Sequence, residues 1–180
     1  ELVTGLDLVA LQIDVAEGRP LPATLLESVP LRGHAIELRL CAEDPNHGYR
    51  PSSGRFHTVR FPAIDGVRID SAVESGSVVS PYYDSMIAKV IAHADTRGQA
   101  IRKARAALVG AELIGPITNR DLLVELLSWL DDLDGPEGPG IDTGLLDRSD
   151  LGAPPPPSAI DIAACALELV RRRTAGNRFP

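Results

Sequence analysis

The chain has 180 residues, 44% hydrophobic and 24% charged, with a formal net charge of −7 and a pI near 5.0. That length and apolar share suit one compact domain plus a tail and argue against wholesale disorder. The acidic balance argues against nucleic acid and anionic membranes as main partners, and the longest apolar runs are too short to span a bilayer.

Cys41 and Cys165 lie far apart, and His34, His47, His57 and His93 are scattered. Neither set has zinc-ligand spacing, so no metal site is expected, and a reducing cytoplasm is the expected compartment. The first residues do not read as a signal peptide. The sequence opens on Glu1, without an initiator Met and with a helix almost at once, and so reads as a piece of something longer.

In chain order, Thr4 followed three residues on by Asp7 resembles a capping box, with Asp in place of the usual Glu or Gln. Leu6, Val9, Ala10 and Ile13 recur at helical spacing until Gly18 and Pro20, which predicts a helix over 6–17. Residues 19–30, RPLPATLLESVP, read as a Pro-punctuated connection. Over 34–42 the period changes to two: Ile36, Leu38, Leu40 and Ala42 fall on one face. Glu37, Arg39 and Cys41 fall on the other, as in a half-buried strand.

Residues 43–54 form a turn-rich loop, and 55–61 and 66–70 are short strands. Residues 75–85 are a loop or broken strand, and MIAKVIAHA (86–94) is apolar on both sides, as in a buried strand. Asp95 or Thr96 then caps a helix whose inner stripe is Ile101, Ala104, Leu108 and Ala111. Gly115-Pro116 breaks the chain. Thr118 or Asn119 starts a third helix with Leu122, Leu123, Leu126, Leu127 and Leu130 inside.

Residues 131–140 and 151–158 are acidic or Pro-rich linkers. Ser158 and Asp161 open a last helix, which Arg171, Arg172 and Arg173 close favourably against its dipole. The fold class is α+β: an antiparallel, barrel- or sandwich-like β-sheet with flanking helices and a helical tail.

Two stretches carry candidate chemistry. On pattern alone, Arg39 either joins a cross-strand ion pair on a solvated face, worth under about 1 kcal/mol, or is held out towards a ligand. In SPYYDSMIAK (80–89), at least one of Tyr82 and Tyr83 reads as an aromatic plug on a sheet edge. Asp84, entering a buried strand, calls for a cationic or multiple-donor partner. Arg55 and Arg60 flank Phe56, and that stretch reads as structural, as does His34. Lys89 has no partner pattern. There is no phosphate-binding glycine loop and no nucleophile motif, so these residues alone do not compose an active site.

Four segments in order, ELVTGLDLVALQIDVAEGRPLP, RGHAIELRLCAEDP, SPYYDSMIAKVIAHADTRGQAI and GPITNRDLL, resemble the biotin carboxylase family, the ATP-dependent subunits or domains of acyl-CoA carboxylases and pyruvate carboxylase. The resemblance covers residues 1–148 and implies the C-terminal domain of an ATP-grasp enzyme. Such an enzyme makes carboxyphosphate from ATP, with Mg2+, and bicarbonate, then carboxylates N1′ of biotin on a carrier domain. Most of the ATP and Mg2+ site would lie upstream, leaving this piece inactive alone.

By the same resemblance, Arg39 matches the catalytic arginine that binds the ureido oxygen of biotin and stabilises the enolate formed there. Asp84 is the candidate for orienting its guanidinium, with Glu37 and Glu43 as competitors. Arg68 matches a dimer contact in bacterial members, which carry a bulky residue shortly before it where this chain has Ala63, Ile64 and Asp65. Residues 149–180 resemble a linker and helix leading to a following domain. A Met-Lys-Met biotin attachment sequence is absent, since the only Met is Met86. The implied partners are a biotin carboxyl carrier domain and a carboxyltransferase, which selects the acyl-CoA, within an oligomeric parent enzyme. The alternative is a non-catalytic assembly module.

Overall fold

In the computed structural model, which describes residues 1–132, 144 and 157–174, the buried strand read at 86–94 is β8 (Met86–Ala94). It forms the middle of a three-stranded antiparallel sheet ordered β1-β8-β6, with β1 at His34–Cys41 and β6 at Val67–Ser71. Its central place explains its composition. Ile87, Ala88, Val90, Ala92 and Ala94 are all buried.

Three two-stranded ribbons accompany this sheet. β2 (Glu43–Asp44) pairs with β3 (Arg50–Pro51), β4 (Gly54–Arg55) with β7 (Val78–Val79), and β5 (Thr58–Arg60) with β9 (Glu112–Ile114). The antiparallel α+β architecture expected from the sequence is the one observed.

Leu38, Leu40 and Val90 face inward, onto α3 (Arg97–Val109). Thr96 caps that helix, its Oγ1 accepting from Gln99 N. Ile101, Ala104 and Leu108 are fully buried and Ala111 nearly so, which is the predicted stripe. α4 (Arg120–Asp132) packs on α3 and adds Leu127 to the core, with Leu123 and Leu130 partly buried beside it. Phe56 is wholly buried in the same cluster. Side chains of the size of Leu40, Ile101 and Leu108 each stabilise by about 1.5–3 kcal/mol when removed from water.

Two close approaches need glycine. Gly33 enters β1 at φ +66°, and a Cβ there would lie 2.4 Å from the Ala94 carbonyl oxygen. At Gly115 a Cβ would meet Arg55 O at 2.7 Å and Phe56 Cα at 2.8 Å.

The local pattern misplaces three features. α1 is Leu8–Ala16, and its cap is Asp7, whose Oδ1 accepts from Ala10 N at 2.8 Å. Thr4 instead donates its hydroxyl to Glu1 O. The connection at 19–30 contains a short helix, α2 (Ala23–Glu27), which starts after Pro22. β9 was not predicted, because three residues between turns become a strand only by pairing with distant β5.

The last helix, α5 (Ala159–Thr174), opens as expected: Ser158 N donates to Asp161 Oδ2 at 2.9 Å and Asp161 N to Ser158 Oγ at 3.2 Å. Those bonds from Ser158 hold the Asp161 carboxyl below its ordinary pKa. The linkers at 131–140 and 151–158 and the expected boundary at 148 lie mostly outside the described residues.

Candidate functional site

The outer face of the central sheet is a charged lattice set by register. One row across the three strands is Arg39, Lys89 and Asp70, and the next is Glu37, Ile91 and Arg68. Like charges directly opposite each other repel, so the Arg39–Lys89 pairing needs compensation. Asp70 supplies it from the far strand: Lys89 Nζ lies 3.7 Å from Asp70 Oδ2, and Arg68 Nε donates to Asp70 Oδ1 at 2.7 Å. This bond to Asp70 raises the Arg68 pKa further. Lys89 thus has a partner that its sequence context did not disclose. Arg39 is exposed, and among the described residues no hydrogen bond or ion pair engages its guanidinium.

The backbone beneath Arg39 is tightly held. Between Leu40 and Cys41 the register shifts, with Leu40 opposite Ala88 and Cys41 opposite Met86, so Ile87 is the extra residue of a bulge. Bulges bend a strand and re-aim its side chains. Ala42 N donates to Ser85 O at 2.7 Å, closing the end of β1 against the segment before β8. On the open edge, Asn119 makes three bonds to β1. Its Nδ2 donates to Arg39 O at 3.1 Å, its Oδ1 accepts from Cys41 N at 2.9 Å, and its own N–H donates to Cys41 O at 3.0 Å.

Cys41, Glu43, Asp84 and Ser85 gather around this end of the sheet. Ser85 donates its hydroxyl to Glu43. The half-buried Cys41 thiol is pushed above its ordinary pKa first by burial, then by the Glu43 and Asp84 charges. A hydrogen bond with Ser85 and the Arg39 charge oppose that rise. Arg39 and Asp84 therefore act on the same atom.

They do not act on each other as expected. Asp84 Oδ1 accepts from Met86 N at 3.0 Å, a local turn closed two residues on. That bond lets the carboxylate enter β8 without a cationic partner, so the predicted grip on the guanidinium is not formed. Glu43 is turned to Ser85 and likewise leaves Arg39 free. Tyr82 and Tyr83 are 95% and 89% exposed, so neither is a plug.

A cleft of about 570 Å³ adjoins the lattice, between the N-terminal segment and the sheet, and includes Glu1, Val9, Glu37, Arg68, Asp70 and Lys89 in its lining. Among the described residues, no cluster of three His, Cys, Asp or Glu is placed to hold a metal ion, and no helix is long and apolar enough to cross a membrane.

Residues 37–146 match the model of the biotin carboxylase C-terminal domain. The chain belongs to the biotin carboxylase C-terminal domain family.

It is 42% identical over 128 residues to a biotin carboxylase of Halalkalibacterium halodurans, covering 71% of this chain and 28% of that protein. It is also 42% identical over 129 residues to the mitochondrial propionyl-CoA carboxylase alpha chain of Caenorhabditis elegans, covering 71% and 18%. The biotin carboxylase domain dimer of 2-oxoglutarate carboxylase from Hydrogenobacter thermophilus, solved with MgADP, ADP and bicarbonate, superposes with a TM-score of 0.66 at 33% identity. That likeness covers 83% of this chain and 30% of the solved one. The chain therefore spans under a third of the length of the relatives it matches.

The geometry identifies Asp70 as the carboxylate that keeps the outer lattice of this biotin carboxylase C-terminal domain in balance. Asp70→Asn is expected to cost about 0.5–1 kcal/mol in low salt, as partly exposed ion pairs do, with most of the loss gone near 1 M salt. Denaturant melts at both ionic strengths check this, and a loss independent of salt would contradict it.

Proposed function

We propose that this lobe supplies Arg39 to a biotin-dependent acyl-CoA carboxylase, where it receives the ureido group of biotin borne on a carrier domain. The observation that carries the reading is an exposed guanidinium that, among the described residues, has no partner, on a strand whose backbone is fixed at both edges. The unengaged donors fit a neutral, oxygen-bearing ring better than a structural ion pair would.

Biotin supplies the nitrogen that takes up the carboxyl group, and bicarbonate with ATP and Mg2+ supplies that group in activated form. The residues described here do the rest of what this lobe contributes. Arg39 binds and orients the ureido oxygen, and its permanent charge stabilises negative charge developing there. Arginine suits this better than lysine, because its planar fork is always charged and directs two donors at one site. A strand holds such a donor more rigidly than a loop. Asp84 contributes through its charge near the mouth of the site, not through a bond to the guanidinium. ATP, Mg2+ and bicarbonate, which the solved Hydrogenobacter thermophilus domain binds as MgADP, ADP and bicarbonate, are assigned in this proposal mainly to other parts of the enzyme. The carboxyltransferase partner and the cytoplasm complete the proposal.

A packing role in the same enzyme is favoured by α1, whose Leu8, Val9 and Ile13 are each about half exposed (48%, 59% and 53%). In that role Arg68, bordering the cleft, serves as the dimer contact. Sedimentation of the complete enzyme with Arg68→Glu tests this: a lighter species is expected, and an unchanged one counts against the contact.

For the catalytic reading, Arg39→Ala in the complete carboxylase is expected to lower the biotin carboxylation rate on the order of 100-fold, the scale of losing one oxyanion donor. Arg39→Lys should restore only a minor part. A near-normal rate in Arg39→Ala would refute the assignment.

A further inference from the structure

We infer that Asn119 is a positioning residue for Arg39. The inference rests on the catalytic reading of Arg39 and adds the device that aims it.

An Asn at the start of a helix ordinarily turns its side-chain oxygen onto the second or third helical N–H. Asn119 occupies that place, since its carbonyl accepts from Leu123 N at 3.1 Å and α4 begins at the next residue. Its carboxamide is nevertheless directed away from the helix. Both of its ends go to β1, straddling Arg39 and Cys41. The first-turn N–H of Arg120 turns to Thr118 Oγ1 at 3.4 Å instead.

The arrangement copies a neighbouring strand. β1 is an edge strand of its sheet, so the outward N–H and carbonyl groups at residues 39–41 have no ladder partner. One carboxamide and one backbone N–H satisfy three of them. The site chosen matters, because it is the strand segment that carries the guanidinium and ends in the bulge. A buried or half-buried edge could be satisfied anywhere along β1. Here the bonds fall under Arg39, and the helix bearing Asn119 is anchored in the core through Leu127. The aim of Arg39 is thereby tied to the packing of α4 on α3. A displacement of about 1 Å can cost up to about 100-fold in rate when a reacting group must be aligned.

Asn119→Asp separates this role from a structural one. Aspartate has nearly the same size and shape and still accepts from Cys41 N, and no side-chain capping bond is lost because Asn119 makes none. It presents an oxygen to the Arg39 carbonyl in place of a donor, so the clamp opens on the side of Arg39. In the complete carboxylase, kcat for biotin carboxylation is expected to fall about 10-fold, with KM for ATP unchanged and a thermal midpoint close to that of the parent. Asn119→Ser, whose single hydroxyl cannot reach both sites, should behave alike. In the Arg39→Ala background neither change should have a further effect, because the residue acts through Arg39. An unchanged kcat in both variants would overturn the inference. So would an equal fold-loss with and without Arg39, which marks a purely structural role. If Arg39→Ala itself carboxylates biotin normally, the catalytic reading fails first and the positioning role fails with it.

Discussion

The pleat of β1 couples the hydrophobic core to the functional face, because Leu38 and Leu40 are at most 7% exposed and Arg39 lies between them. Successive side chains of a strand point to opposite faces. A slip of one residue would bury the arginine and expose two leucines, so the core selects the register. Apolar packing that never touches a ligand thus decides where the guanidinium points. The β1–β8 ladder, the bulge at Ile87 and the bonds from Asn119 then refine that direction.

Charge on the outer face obeys a second constraint. Placing Arg39 opposite Lys89 sets two cations side by side across adjacent strands. A carboxylate bonded to Arg39 would relieve the repulsion but occupy its donors. The structure places the relieving carboxylate one strand further away, at Asp70, where it engages Lys89 and Arg68. Glu43 and Asp84 are occupied by Ser85 and by the backbone of Met86. Those two carboxylates are satisfied elsewhere, and among the described residues no ion pair takes up the guanidinium's donors.

Much of this was legible because it is local. Strand β8, helix α3 with its Ile101–Ala104–Leu108 stripe, and the Ser158–Asp161 cap follow from periodicity and capping chemistry within a few residues. The outward face of Arg39 follows from alternation alone. What escaped depends on contacts across the sequence. β9 exists through β5, Lys89 gains its partner from a strand some twenty residues away, and Asn119 reads locally as an ordinary helix start. Asp84 shows the opposite error: a long-range grip was expected, and an Asx turn two residues long satisfied the carboxylate first. The exposed Tyr82 and Tyr83 contradict the usual pairing of aromatic residues with burial, and nothing in their spacing announced it.

The deciding measurement is a structure of the complete carboxylase with biotin bound in its carboxylation site. The account requires the guanidinium of Arg39 within about 2.7–3.1 Å of the ureido oxygen, with Asn119 still bonded beneath it. A biotin ring seated elsewhere, with Arg39 pointing into open solvent or folded onto Glu37, would contradict it.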